Sequence, residues 1–404
     1  MKTARRKTRP AGVLRAVRKA MRKYAPEIKD LAAAVFRNPE LAFEEKEACD
    51  LQVRLLKKRG FRVTSPFAGL ATAYKAVWGK GRPAFCFMAE YDALPEIGHA
   101  CGHNLICAAA IGAGCALRDV LERARVRGTV VIMGTPAEEG GGGKVVMIRS
   151  GALKGIDAVL EAHPSYRTTP DNGCTAIRRL SVSYAGRSSH AAGSPELGLN
   201  ALDAVMLLFQ GVNAWRQHMA ETSRIHGIVT EGGVAPNIVP DRSSALFYLR
   251  SLNDGQLAAM VSRFRDIARG AALMTGTRLE LETGGRGYKS RIPNAPLNDA
   301  YVQAAESAGL APEIPEKSGR GSSDFGDVSH QVPGAHVYFG IGKRVLACHS
   351  TEFRKAAGSA YGLDQMVRAA EAAAAVGHRY FTDPEFRRRV RADFTSETRK
   401  RGVK

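Results

Sequence analysis

A short apolar run at 84–88 leads into the segment Glu90-Tyr-Asp-Ala-Leu-Pro-Glu-Ile-Gly-His-Ala-Cys-Gly-His-Asn104, and an apolar stretch at 105–117 follows it. A run of that length between turn residues reads as a buried parallel strand, and the longer stretch as a helix. Cys101 and His103 fall on the glycine-containing loop between the two. A thiolate and an imidazole at a strand-to-helix junction are metal ligands by type. Further candidates follow in similar settings: Glu138-Glu139 after a strand at 129–134, His163 after one at 157–162, and His349 near the C-terminus.

The rest of the chain supports an α/β fold. Helices are expected at 26–37 and 44–58, the first ended by Asn38-Pro39 and the second by Gly60. Strands at 61–63 and 71–78, a helix at 105–122 and another at 144–150 complete an alternation that implies a mostly parallel sheet with helices on both faces. Sites in such sheets form outside the carboxyl ends of the strands, where each candidate ligand lies. The pattern then changes. A strand at 178–184, a helix at 198–219, strands at 224–230 and 243–249, a helix at 255–271 and a strand at 277–283 give the β-α-β-β-α-β order of a ferredoxin-like unit. The expected organisation is a catalytic domain over 1–176 and 293–386, an inserted α+β domain over 177–292, and basic tails at 1–23 and 387–404. Helices at 297–308 and 357–378 and a strand at 334–339 return to the first domain.

A net charge of +20 would suit a nucleic-acid binder, but its location argues otherwise. Residues 1–23 hold ten Lys/Arg and no acid, and residues 387–404 have a net charge of +6. Solvated tails explain most of the excess. Val13, Leu14, Val17 and Met21 fall at helical spacing among the first charges, a pattern that also fits a membrane-surface helix or one packed on the body. Aromatic content is 7%, without the basic-aromatic interleaving of single-strand binders. No specific nucleic acid and no membrane span are expected. The seven cysteines sit mostly in apolar runs, which fits a reducing, cytoplasmic setting better than a disulfide framework.

Taken singly, each candidate has a plain structural explanation: a capping or core histidine at 163 or 349, a buried thiol at 101, a solvated turn at 138–139. Together they suggest chemistry. Adjacent carboxylates on a loop point in different directions, so one can bind a metal while the other takes a proton from water acidified by it. Gly140 to Gly143 let the backbone crowd such a site. Gly143-Lys144 is not a phosphate loop, because Val145 follows and the spacing is wrong. His218, His226, His336 and His378 are assigned structural positions, His99 a place behind the ligands, and His330 the cleft.

Six motifs in order, Asn38-Pro-Glu-Leu-Ala-Phe-Glu-Glu45, Glu90-Tyr-Asp-Ala-Leu-Pro95, His99-Ala-Cys-Gly-His103, Pro136-Ala-Glu-Glu-Gly-Gly-Gly-Gly143, Ala162-His-Pro164 and Cys348-His-Ser350, carry a resemblance over about 30–370. The chain resembles the aminoacylase/carboxypeptidase family of dinuclear metallohydrolases. It is most similar to the amidohydrolase subgroup of hippurate, auxin-conjugate and p-aminobenzoyl-glutamate hydrolases, with its dipeptidase branch. The resemblance implies Cys101, His103, Glu139, His163 and His349 as ligands of two divalent cations, Mn²⁺ or Zn²⁺, and Glu138 as general base. In the inserted domain it implies His190, in Ser188-Ser-His-Ala191, as a group reaching the partner subunit's active site to polarise the scissile carbonyl or stabilise the oxyanion. It gives Asn237 and Arg250 a substrate carbonyl or carboxylate, and the inserted domain a homodimer contact. Gly321-Ser-Ser-Asp-Phe-Gly326 is similar to a family loop near the site. Asn104 stands where many subgroup members carry Asp, Phe36 where many carry His, and Glu90 where more distant relatives have a metal-binding His.

The expected activity is therefore metal-dependent hydrolysis of an amide bond in an N-acyl amino acid, a p-aminobenzoyl-glutamate-like conjugate or a dipeptide. Its substrate is a small molecule with a carboxylate. Hydrolytic deamination of an aromatic amino-carboxylate at the same centre is the alternative reaction. A non-catalytic scaffold is the alternative from outside enzymology.

Overall fold

The computed structural model describes residues 10–315 and 321–402, so the outermost parts of both expected tails lie outside the described residues. The chain divides into two compact units. The first holds a six-stranded sheet built from β1 (Arg62–Thr64), β2 (Tyr74–Lys80), β3 (Ala84–Ala89), β4 (Gly128–Gly134), β5 (Ala158–Ser165) and, after the second unit, a last strand at Gly334–Gly340. The spatial order is β1-β2-β4-β3-β5 and then that last strand. β4, β3, β5 and the last strand run parallel, while β1 and β2 form an antiparallel edge. All six residues of β3 are buried, which is why its sequence is continuously apolar rather than alternating.

The helix His103–Arg123 is long and apolar enough to cross a membrane, yet its most apolar window is wholly packed inside the unit. It shares one core with the helices Pro10–Arg37 and Ala360–Thr382. Here the structure departs from the sequence reading. The N-terminal helix begins at Pro10, not at Pro26, and Pro26 lies inside it. Leu14, Val17, Met21, Tyr24 and Ile28 are buried at helical spacing on both sides of that proline. Each such side chain contributes about 1.5–3 kcal/mol, enough together to outweigh one missing backbone hydrogen bond and the repulsion among the exposed cations. The basic C-terminal stretch is likewise a helix, Pro384–Lys400, which buries Phe386 and Val390. Charge at both ends masks a narrow apolar stripe. The helix expected at 357–378 is Ala360–Thr382, and a short helix, Thr351–Ala357, precedes it. They break where Ser359 Oγ accepts from the Gly362 N–H at 3.0 Å.

The second unit spans Cys174–Arg291, with Gly321 and Ser322. Its strands are β6 (Ala176–Ala185), β7 (Arg224–Glu231), β8 (Arg242–Ser251) and β9 (Arg278–Tyr288), which makes the last strand of the first unit β10. They form a wholly antiparallel sheet in the order β7-β8-β6-β9. Leu180, Val182 and Tyr184 of β6 alternate inward against Val205, Leu208 and Phe264 of the helices Ala201–Arg216 and Asp254–Thr275.

Candidate metal centre

Parallel strands deliver their carboxyl ends to one edge of the first sheet. β3 ends at Ala89 and hands over to Glu90 and Asp92; β4 ends at Gly134, before Glu138 and Glu139; β5 carries His163. His103 opens the helix His103–Arg123 after Gly102, whose φ is +79° and where an added Cβ would stand 2.5 Å from Pro164 Cγ. Only glycine fits that close turn. Two non-glycine residues at the site, Ala137 and His349, are also held at positive φ, 61° and 63°. Such strain persists where surroundings over-determine the backbone. At Ala137 the surroundings include Glu45, which accepts from the Ala137 N–H at 2.8 Å and from Thr72 Oγ1 at 2.9 Å. At His349, the backbone N–H donates to Ala100 O at 3.1 Å.

Five side chains from four distant segments converge. Cys101 Sγ lies 3.5 Å from His163 Nε2. His349 Nε2 is 3.3 Å from Glu139 Oε1, and His103 Nε2 is 3.9 Å from the same oxygen. Donors from His103, Glu138 and Glu139 all lie within 4.8 Å of one another. At metal–ligand lengths of about 2.0–2.3 Å, tetrahedral neighbours sit about 3.4–3.8 Å apart, so the first two separations match donors that share a cation. His103 Nε2 and Glu139 Oε1 are buried without a hydrogen-bond partner among the described residues. Unsatisfied buried polar atoms are costly, and two facing each other are what a cation would satisfy. The donor set fits a divalent metal.

A charged layer supports these donors. Asp92 Oδ1 is 3.0 Å from His103 Nδ1, and Asp92 Oδ2 accepts from the Glu139 N–H at 2.9 Å, so one carboxylate orients two of the five groups. Burial opposes a proton on His103, but Asp92, Glu90 and Glu139 outweigh it and raise its pKa well above the usual range. Lys144, fully buried, pairs with Glu90 and with Asp324 at 2.7 Å and lies 3.9 Å from Glu161. Burial works against that ammonium, yet the surrounding carboxylates push its pKa up. Burial followed by the neighbouring Glu90, Asp324 and Glu139 carboxylates lifts Glu138 well above an ordinary carboxyl. That is the direction a general base needs to be poised nearer neutrality.

Several of these residues carried no expectation. Asp92 and Asp324 lie in motifs that gave them no individual role, Glu161 lies in an expected strand, and Lys144 figured only as a mismatch to a phosphate loop. Glu45 and Glu40 lie in a motif that had no assigned role. Glu40 accepts from the Glu47 and Ala48 N–H groups, at 3.0 and 2.8 Å, at the start of helix Lys46–Lys58. His336, expected to be structural, is buried 3.1 Å from Glu161 Oε1 and tilts on the His163 ring at 5.2 Å. His99 is buried against Phe36, and burial lowers its pKa to about 4. Asn104 donates to Ala32 O and Ala357 O, tying three helices together rather than facing the donors.

His190, Asn237 and Arg250 belong to the second unit. His190 is exposed; its Nδ1 accepts from the Gly193 N–H at 2.9 Å, and Asn237 O accepts from the Ala191 N–H at 3.0 Å, so these two segments lie side by side. Arg250, on β8, donates to Ser322 Oγ at 3.0 Å and has no carboxylate partner among the described residues. Burial lowers its pKa.

A parallel α/β unit with a Cys-His-Glu-His-His cluster at its strand ends defines a metallohydrolase. Comparison with known proteins gives the family. The chain belongs to peptidase family M20/M25/M40, whose model matches residues 86–376. The Xaa-Arg dipeptidase of Mus musculus is 37% identical over 379 residues, covering 90% of this chain and 88% of that protein. One of the p-aminobenzoyl-glutamate hydrolase subunits of Escherichia coli is 35% identical over 299 residues, 69% of this chain and 62% of that protein. Among solved structures, a dinuclear metal binding peptidase of the M20 family from Bacillus subtilis superposes with a TM-score of 0.67 at 21% identity, covering 87% and 98% of the two chains.

Proposed function

We propose that this hydrolase cleaves the amide bond of a dipeptide or N-acyl amino acid with a free C-terminal carboxylate, p-aminobenzoyl-glutamate-like conjugates included. The observation that carries the reading is the convergence of Cys101, His103, Glu139, His163 and His349, two of whose atoms, His103 Nε2 and Glu139 Oε1, are buried without a hydrogen-bond partner among the described residues. These five residues would hold two divalent cations, Mn²⁺ or Zn²⁺. Bound there, the cations supply Lewis acidity and draw the pKa of water down towards about 7. Glu138 accepts the proton of the attacking water and passes it to the leaving amine. Asp92 fixes the ring of His103 and the backbone of Glu139 throughout. His190 stabilises the oxyanion, Asn237 holds a substrate carbonyl, and Arg250 grips the carboxylate through its guanidinium edge, which has no carboxylate partner of its own among the described residues. The dipeptidase relative, at 37% identity over 90% of this chain, is the reason to rank dipeptides first.

We further propose a cytoplasmic homodimer. All seven cysteines are free, and the exposed Ile228 and Val229 on edge strand β7 offer an apolar strip for a second copy.

Glu138→Ala tests the mechanism. Turnover of dipeptides or acyl amino acids should fall by about 10²–10⁴-fold while metal content is kept. Undiminished turnover removes Glu138 from its role, and release of ammonia in place of an amino acid replaces amide cleavage by deamination.

A further inference from the structure

Cys348 has no part in the five-residue cluster, yet its Sγ stands 3.6 Å from Cys101 Sγ. Two thiolates on one tetrahedral cation, at about 2.3 Å each, are separated by about 3.8 Å. The pair therefore stands at the spacing of a shared ligand edge. The Sγ atoms of Cys101 and Cys348 and a nitrogen of His349 all lie within 4.8 Å of one another. The placement is built into the backbone: the His349 N–H is tied to Ala100 O, and His349 itself is held at φ 63°. An independent observation comes from the same cluster: His103 Nε2 and Glu139 Oε1 are buried without a hydrogen-bond partner among the described residues.

We propose that Cys348 is a sixth ligand of the metal centre, giving one cation two thiolates and making the centre select thiophilic cations such as Zn²⁺ over Mn²⁺. The inference rests on the metal-centre reading above and narrows it. Soft thiolates favour Zn²⁺ and its analogues Co²⁺ and Cd²⁺, whereas Mn²⁺ prefers oxygen donors. A cation held through Cys101, Cys348 and His349 would meet one ligand from the loop after β3 and two from the loop after β10. The cluster of five alone would meet Mn²⁺ with a single thiolate and four harder donors.

Co²⁺ titration into the chelator-stripped protein reads the number of thiolates directly, through sulfur-to-cobalt charge transfer in the near ultraviolet. The wild type should show a two-thiolate band, and Cys348→Ser should lose about half its intensity, the share of one of two sulfur ligands. Cys348→Ser should also narrow the Zn²⁺-over-Mn²⁺ preference by about tenfold or more, as judged by competition, with circular dichroism confirming the fold. Cys348→Ala serves as a second variant. A full band in both Cys348 variants, alongside a band lost in Cys101→Ser, overturns the proposal and leaves the centre standing. Absence of any band in the wild type removes the metal-centre reading as well. A Cys101–Cys348 disulfide in the peptide map of freshly purified protein would also overturn it.

Discussion

The two units hold their functional groups in opposite ways. In the parallel-sheet unit, His103, Glu90, Asp92, Lys144, Glu161 and Asp324 are almost fully buried and bonded to one another. In the antiparallel unit, His190 and Asn237 are exposed, and Arg250 makes one hydrogen bond to a hydroxyl. The first arrangement fixes geometry in advance and makes every charge depend on its neighbours. The second leaves side chains free to meet something that arrives. Preorganised donors suit a metal; adaptable donors suit substrate carbonyl and carboxylate groups.

That contrast can be broken by substitution. Lys144→Met should have the largest effect, because it strands three buried carboxyl groups around an apolar side chain. Loss of one partner from a buried ion cluster costs about 3–5 kcal/mol, so urea denaturation should show a shift of that size. A variant as stable as the wild type would show that the layer beneath the centre is not electrostatically interdependent.

Glu45 sharpens the same point through pH. Burial raises its pKa to about 7 from an ordinary 4.5. Below pH 4.5 both folded and unfolded chains hold the proton. Between 4.5 and about 7 the unfolded chain releases it while the folded chain keeps it, so stability falls as pH rises through that window and is level above it. The total is about 3 kcal/mol. Glu45→Gln should flatten the slope; an unchanged slope would assign it to other groups.

Next in size is Asp92→Ala, which removes the carboxylate behind His103 and Glu139. Metal affinity, measured by chelator competition, should drop about 10–100-fold. The smallest effect belongs to the open unit. Arg250→Lys keeps the charge but cannot make the two-pronged contact proposed for it, and should raise KM about tenfold with metal content unchanged. If metal affinity moved instead, the division of labour between the units would fail.

The candidate donors were legible in the chain because most of them follow an apolar strand, and strand ends in a parallel sheet converge. Cys101, His103, Glu139, His163 and His349 share that signal or a motif. The supporting layer could not be read this way. Asp92 and Lys144 are commonplace residue types, and their importance comes from burial, which depends on the whole fold. Asp324, 180 residues from Lys144, gives no local sign of that partner. The terminal helices were only partly legible. The helical spacing of Leu14, Val17 and Met21 shows in the sequence, but the surrounding arginines and lysines favour a solvated tail over the packed helix Pro10–Arg37. At Pro26, a residue that favours helix starts was outweighed by packing on both sides.

The loop that brings His349 beside Cys101 has a consequence for biogenesis. Cys101 and Cys348 are separated by 247 residues of chain, and the whole second unit is made between them. A ribosome that has released the first five strands has exposed Cys101, His103, Glu139 and His163 but neither Cys348 nor His349, so the emerging polypeptide carries an incomplete set of donors. The full donor set exists only near the end of synthesis, which couples full-strength binding of an ion to completion of the fold.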